Sequence, residues 1–235
     1  MHEINNSSLF IIFILVLIPI IISYKQKLGI GSEIIVSSIR GFIQLLLLGF
    51  FVSSLFSLEK WYVVLGCILL MTVIASLNIS RRGDEYRSSF WIGLISIFMS
   101  VSVCLTSWIL FDIIPFEAQY LLPVAGMFIG TAMVSGSVVF ETLKKNIKEM
   151  EDLTSIRNES IKLAMIPSID GLKTVGLVQI PGTMTGMILA GGNPFESVKY
   201  QIFILFTLLV VTSLTAILTS YFKLRYKTLQ GNKIK

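Results

Sequence analysis

Long apolar stretches alternate with short polar segments along almost the whole chain. A helix needs roughly 20 apolar residues to cross the hydrocarbon core of a bilayer. Helices are expected because a segment in lipid must pair its backbone polar groups internally. The pattern therefore predicts an all-α transmembrane bundle that crosses the membrane about seven times. The predicted spans are residues 9–23, 34–56, 61–79, 90–111, 121–143, 172–190 and 200–222.

The basic residues fall mainly in alternate loops, and this bias predicts the orientation of the chain. Of the 19 Lys and Arg residues, only Lys60 and Lys199 fall on the opposite side, and only Arg40 falls inside a span. Lys173, at the start of the sixth span, is assigned to the basic side. Because Lys and Arg are enriched in cytoplasmic loops, the N-terminus is predicted outside and the C-terminus in the cytoplasm.

Composition agrees with a single membrane domain over residues 1–235. Hydrophobic residues make up 54% of the chain and charged residues 14%, against about 25% charged residues in a soluble domain. The start of the chain lacks a basic region and a cleavage site, so the first span is expected to remain in the mature protein. The basic residues form no patch interleaved with aromatic residues, so no nucleic-acid partner is expected. The predicted location is the cell membrane, with several crossings.

The side chains available exclude several classes of function. The single histidine is His2, so catalysis or metal binding centred on histidine is not expected. No G-x-x-x-x-G-K-[ST] sequence is present, so the chain is not expected to bind ATP through a P-loop. Asp112, Glu141 and Asp170 are predicted near helix ends, which leaves no carboxylate in the middle of a span. An ion-coupled carrier and an intramembrane enzyme are therefore disfavoured, no catalytic residue or cofactor is predicted, and metal ligands stay undetermined.

Arg40 is the one charged residue inside a predicted span, and two interpretations of it stay open. Its long side chain is able to snorkel back to the membrane interface. Alternatively, it faces a cavity together with Gln44, four residues further along the same helix face, and meets an anionic solute. The second interpretation makes both residues candidates for a translocation pathway.

The sixth predicted span is polar and rich in glycine, which is unusual for a helix in lipid. Pro181 frees a backbone carbonyl in the middle of this span. Gln179, Gly182 and Met184 lie beside it. Broken, polar helices line the pathways of many transporters, so these four residues are predicted to line a translocation pathway.

Small residues recur at four-residue spacing in the fifth and sixth spans. Such stripes let helix backbones approach closely in lipid. They predict helix packing, within one chain or between two copies, or else a moving gate. The residues concerned are Gly126, Gly130, Gly182, Gly186 and Ala190.

The segment 144–167, between the fifth and sixth spans, is charged and predicted to be cytoplasmic. Ile147, Met150, Leu153 and Ile156 recur every three residues, which predicts one apolar edge on a helix. This helix either lies on the membrane surface or in solvent, or it fits its apolar edge into a groove on a cytoplasmic partner.

Four stretches of the chain resemble one family of transport proteins. The longest is A-M-I-P-S-I-D-G-L-K-T-V-G-L-V-Q-I-P-G-T-M-T-G-M-I-L-A-G-G-N-P-F-E-S-V-K-Y-Q-I, residues 164–202, and the others are residues 22–30, 40–49 and 122–134. Together they resemble the FetB (YbbM) permeases over nearly the whole chain. The loop after the fifth span is shorter here than in most of these permeases.

The resemblance implies the membrane subunit of an ABC transporter, with two permease subunits and two separate ATPase subunits. It favours iron export and metal homeostasis as the function without fixing the substrate, with ATP hydrolysed on the partner and not on this chain. The segment 144–167 is then the expected docking site for the ATPase. Two alternatives stay open, namely a secondary carrier and an ABC permease for an organic anion such as a nucleotide sugar.

Overall fold

A computed structural model of the chain describes residues 11, 12, 14–57, 60–146 and 153–231. Its named secondary-structure elements over these residues are all helices. The helices are α1 (Leu17–Lys25), α2 (Gly31–Phe56), α3 (Trp61–Ser80), α4 (Tyr86–Leu110), α5 (Ala118–Asn146), α6 (Leu153–Thr174), α7 (Gly182–Leu189) and α8 (Pro194–Gly231).

Five of these helices are long and apolar enough to cross a membrane, namely α2, α3, α4, α5 and α8. They coincide with five of the predicted spans, because each apolar stretch is bounded by charged or turn-forming residues that the sequence displays directly. The prediction of an all-helical protein with several membrane helices is confirmed. The total of seven crossings and the orientation of the termini stay predictions.

The predicted sixth span, residues 172–190, is wrong as a continuous helix. The helix α6 ends at Thr174, and the next helix, α7, begins only at Gly182. Gly176 has a φ of +82°, a left-handed conformation that ends a helix. Pro181 disfavours helical geometry at the residue before it. The first part of α6 falls in the segment 144–167, where a helix with one apolar edge is predicted, and from Leu153 onward the segment is helical. It packs against α5 and α8.

Contacts within the chain divide it into two compact units, residues 1–57 and 58–235. In the first unit α1 packs against α2. The close approach lies at Gly31, where a Cβ atom would be 3.2 Å from the ring of Tyr24. The single domain over residues 1–235 stays a prediction.

In the second unit α8 packs against α4, α5, α6 and α7. Small hydroxyl side chains join these helices where they meet. The Ser100 and Thr215 hydroxyls are 2.7 Å apart, and the Ser135 hydroxyl donates to the Thr212 carbonyl at 2.9 Å. Small polar residues of this kind allow close packing of helices in lipid and add hydrogen bonds between them.

Candidate functional site: a polar cavity beside a helix break

A cavity of about 500 Å³ lies in the second unit, where α5, α6 and α8 meet the break between α6 and α7. Its polar side chains are hydroxyls and carboxamides, and apolar and small residues form the rest of its wall. The polar lining residues are Thr131, Ser135, Ser168, Gln179, Thr183, Gln201 and Thr212. A wall of this composition suits a solute that is bound through hydrogen bonds.

The break itself, residues 175–181, pairs much of its backbone locally. The Thr174 carbonyl accepts the N–H of Val178 at 2.9 Å, and the Gln179 carbonyl accepts the N–H of Gly176 at 2.9 Å. These bonds need the positive φ of Gly176, which glycine adopts at little cost. Irregular backbone is tolerated at membrane depth where it is buried in protein or lines a cavity, and Val175, Gln179 and Pro181 line this one.

One lining residue is buried and lacks a hydrogen-bond partner. Gln201 of α8 is only 6% exposed, and its Oε1 has no partner among the described residues. By contrast, the Ser168 and Thr212 hydroxyls, which also line the cavity, bond to each other at 2.7 Å. A buried carbonyl oxygen without a partner is costly for stability, so the Gln201 carboxamide is an unsatisfied polar group beside the cavity.

The cavity wall, all of it described, contains no charged side chain. Among the described residues there is also no group of three or more His, Cys, Asp or Glu side chains close enough to hold a metal ion. The polar groups of the cavity wall therefore bind a solute through hydrogen bonds and not through net charge.

Three of the residues predicted to line a pathway come together at this cavity, namely Gln179, Pro181 and Gly182. Met184 is half-buried in α7 and is not among the lining residues. Arg40 and Gln44 belong to α2 in the first unit, and their part in a pathway stays a prediction.

The five small residues predicted to pack helices together have different surroundings in the structure. A Cβ atom on Gly126 would lie 3.2 Å from Met71 Cε, so α5 and α3 approach closely there. Gly130 lines the cavity. A Cβ atom on Gly182 or Gly186 would meet no atom within 4 Å, and Ala190 is exposed.

Two of the four residues predicted to dock an ATPase are described by the structure. Ile156 is fully buried in a cluster with Val139 and Leu143, so its side chain packs into the protein's own core. Leu153 is exposed at the start of α6. Ile147 and Met150 lie outside the described residues.

Asp170 and Lys173 were predicted at the end of a helix on the cytoplasmic side. The structure places both in the last turn and a half of α6, beyond Ser168. Ser168 contacts Thr212, which lies in the middle of the long apolar helix α8. Asp170 lies four residues before the end of α6, and the absence of a carboxylate from the middle of a membrane span stays a prediction.

An ion-pair cluster away from the cavity was not predicted at all. Lys223 of α8 is 3% exposed and pairs with Asp84 in the loop between α3 and α4, and Lys227 pairs with the same carboxylate at 2.8 Å. Burial raises the pKa of Asp84, but the hydrogen bonds and charges of the two lysines outweigh it and hold the pKa well below its ordinary value. The two partners are far apart in sequence, so no local motif indicated the pairing.

Comparison with known proteins gives one matching family model, described as Uncharacterised protein family (UPF0014), over residues 6–227. The "Probable iron export permease protein FetB" of Escherichia coli is 32% identical, over 95% of this chain and 92% of the relative. The "UPF0014 membrane protein YjkA" of Bacillus subtilis is 33% identical, over 91% of each. The "Protein ALUMINUM SENSITIVE 3" of Arabidopsis thaliana is 28% identical, over 88% of this chain and 82% of the relative. No solved structure matches the chain significantly.

Proposed function

The chain belongs to the UPF0014 family of multi-pass membrane proteins, and on that basis we propose that it is the membrane-spanning permease of an ABC transporter that exports iron. The ATP would be hydrolysed on a separate ATPase subunit, and two copies of this chain would form the pathway. The observation that carries the permease in this proposal is the uncharged polar cavity at the break between α6 and α7.

The shape of this region supports a permease. The helices α6 and α7 run one after the other, interrupted by residues 175–181, beside the continuous helix α8. Discontinuous helices beside a polar cavity are a common way to build a solute site within a membrane. In this proposal α6, the break and α7 form one crossing, α1 belongs to another, and the total is seven.

The orientation and the ATPase contact follow from the same proposal. The bias of Lys and Arg supports an outside N-terminus and a cytoplasmic C-terminus. The start of α6 then lies on the cytoplasmic side, where Leu153 is exposed and able to meet an ATPase. The Ile156 side chain is excluded from that contact because it is buried.

Iron export is proposed because the Escherichia coli relative carries that description over nearly its whole length. One observation favours a second candidate, an organic solute such as a nucleotide sugar. The cavity wall offers hydroxyls and carboxamides without charge, which suits a ligand with many hydrogen-bonding groups. A secondary carrier, the third candidate, would transport without an ATPase.

The test is purification of the chain with its candidate ATPase, followed by ATP hydrolysis in proteoliposomes with and without iron. We expect a stable complex whose hydrolysis is stimulated by iron. Stimulation by a nucleotide sugar and not by iron would contradict iron as the solute and keep the permease. Failure to form any complex would contradict the ABC mechanism.

A further inference from the structure

The loop between α3 and α4, residues 81–85, is held in place from two sides. On one side Asp84 pairs with the buried Lys223 of α8. On the other side the loop packs tightly against the start of α4, where a Cβ atom on Gly83 would overlap the Ser89 side chain. The loop is built of turns and bends, but these contacts give it a defined position on the bundle.

The loop and the first residues of α4 present basic and aromatic side chains on the surface. Arg81, Tyr86 and Arg87 are all exposed. All three basic residues between positions 81 and 87 are arginines, and none is a lysine. Because Arg and Tyr are enriched and Lys is depleted where proteins meet, this composition favours a surface that binds another protein.

This surface lies at the same end of the second unit as the start of α6. The Lys223 Nζ lies 6.0 Å from the centre of the Phe140 ring of α5. The next residue, Leu224, packs against the cluster that contains Leu143 of α5 and Ile156 of α6. In the proposed orientation this end faces the cytoplasm, which is the side on which an ATPase would bind.

The loop is also joined to the wall of the cavity. The helix α8, which holds the loop through Lys223, is continuous over Pro194–Gly231, and its residues Leu208 and Thr212 line the cavity. A displacement of the loop would therefore reach the cavity wall through a single helix. A partner that drives transport needs such a connection and a lipid headgroup does not, so the ATPase is the favoured partner.

We infer that residues 81–87 form a contact surface for the ATPase, where Arg81, Tyr86 and Arg87 meet an acidic surface of that subunit. The ion pair of Asp84 holds this surface in place before binding, which lowers the entropic cost of association. The inference deepens the proposed function and rests on it for the existence of the ATPase. It adds a second contact to the one predicted in the segment 144–167.

The first experiment reverses the charge of the surface. The affinity of Arg81→Glu/Arg87→Glu for the candidate ATPase is measured with the purified full-length proteins in detergent. Lys60→Glu/Lys199→Glu is the matched control, because it changes the net charge equally at two exposed residues predicted on the opposite side of the membrane. We expect the first variant to lose affinity at least about tenfold, because like charges then face each other, and the control to bind as the wild type does.

Three other outcomes of this experiment have different meanings. Equal affinities of the wild type and Arg81→Glu/Arg87→Glu would overturn the inference and keep the proposed function. Equal losses in that variant and in the control would overturn the inference too, because they would reflect net charge alone. A wild type that forms no complex would contradict the proposed function, and the inference would fall with it.

The second experiment keeps both arginines and measures protection of a single cysteine in neutral lipid nanodiscs. The free residues Cys67 and Cys104 are first changed to alanine. Tyr86→Cys, at the start of α4, is then compared with Phe111→Cys at the other end of the helix, since both positions are exposed. The ATPase should slow the reaction of a charged methanethiosulfonate at position 86 at least about fivefold, because an interface excludes water, and leave position 111 unchanged.

The same nanodiscs, prepared with anionic phospholipid and without the ATPase, test the competing partner. Protection of position 86 by the ATPase in neutral lipid supports the inference. Protection by anionic lipid and not by the ATPase would assign the surface to lipid headgroups and overturn it. A reaction rate at position 86 that neither partner changes would overturn it as well.

Discussion

The ammonium group of Lys223 is buried beneath the loop between α3 and α4, where it pairs with Asp84. The pair ties the C-terminal part of α8 to that loop. The Lys223 Nζ also lies 3.4 Å from the Ser88 hydroxyl and 6.0 Å from the centre of the Phe140 ring. The buried charge is thus surrounded by polar and aromatic partners, and Asp84 is the partner that neutralises it.

We predict that Asp84→Asn destabilises the protein by about 3 kcal/mol, because it leaves the Lys223 charge buried without a counter-ion. Thermal unfolding of the purified protein in detergent measures the change. Lys227→Gln is the matched control and should cost less, since Lys227 is more exposed than Lys223. An Asp84→Asn variant as stable as the wild type would contradict the role of this pair.

The same pair predicts a dependence of stability on acid. The lysines hold the pKa of Asp84 below its ordinary value of 3.8 in the folded protein, even though burial acts in the opposite direction. The contribution of Asp84 is therefore fully present above pH 3.8 and is lost as the pH falls through and below that value. As the pH falls from about 4 to about 2 the wild type should lose more thermal stability than Asp84→Asn. Equal losses of thermal stability in the two proteins would contradict the lowered pKa of Asp84.

The helix break depends on one backbone conformation. Gly176→Ala places a Cβ atom on a residue with φ of +82°, which costs about 1–2 kcal/mol. Gly66→Ala, in α3, is the control, since a Cβ atom there meets no atom within 4 Å. We expect thermal unfolding to show a loss of stability for Gly176→Ala and none for Gly66→Ala. The reverse order would mean that residue 176 does not hold the break in this form.

We predict that the buried carboxamide of Gln201 lowers the stability of the protein but is needed for transport. Gln201→Leu removes a buried acceptor without a partner, which should raise stability by about 1 kcal/mol, while transport falls because the cavity loses that acceptor. Thr219→Val is the matched control. The Thr219 hydroxyl is also buried without a partner among the described residues, but Thr219 does not line the cavity.

Thermal unfolding and iron efflux from cells should separate these two variants. Both should be as stable as the wild type or more so, and Gln201→Leu alone should lose efflux. Full efflux in Gln201→Leu would mean that its free acceptor has no part in transport.

The sequence predicts well those helices whose own composition marks them as membrane spans. The stretches that became α3 and α8 are apolar from end to end and bounded by charged residues, so their existence and approximate ends follow from hydropathy alone. The helix α6 is different, because its charged residues remove the hydropathy signal of a membrane span. Its place in the bundle is decided by contacts such as Ser168 with Thr212, which join residues far apart in the chain.

The residues of the candidate site were predictable only where a local sequence pattern marks them. Gln179, Pro181 and Gly182 were found because a proline and small polar residues interrupt an apolar stretch, and this signal is local. Gln201 carried no such signal, because it lies in an ordinary apolar helix and only the packing shows that its carboxamide is buried beside the cavity. The Asp84–Lys223 pair likewise depends on how α8 meets a distant loop.

The central claim is that the cavity at the break is the solute pathway, and filling it tests this most directly. Gly130 lines the cavity, and a Cβ atom there meets no atom within 4 Å, so Gly130→Trp should occupy the space without disrupting the helix. The measurement is iron transport by proteoliposomes that contain the chain and its ATPase, with Gly66→Trp as the control. We predict that Gly130→Trp forms the complex but transports no iron, while Gly66→Trp transports as the wild type does. Undiminished transport by a correctly assembled Gly130→Trp complex would contradict the account.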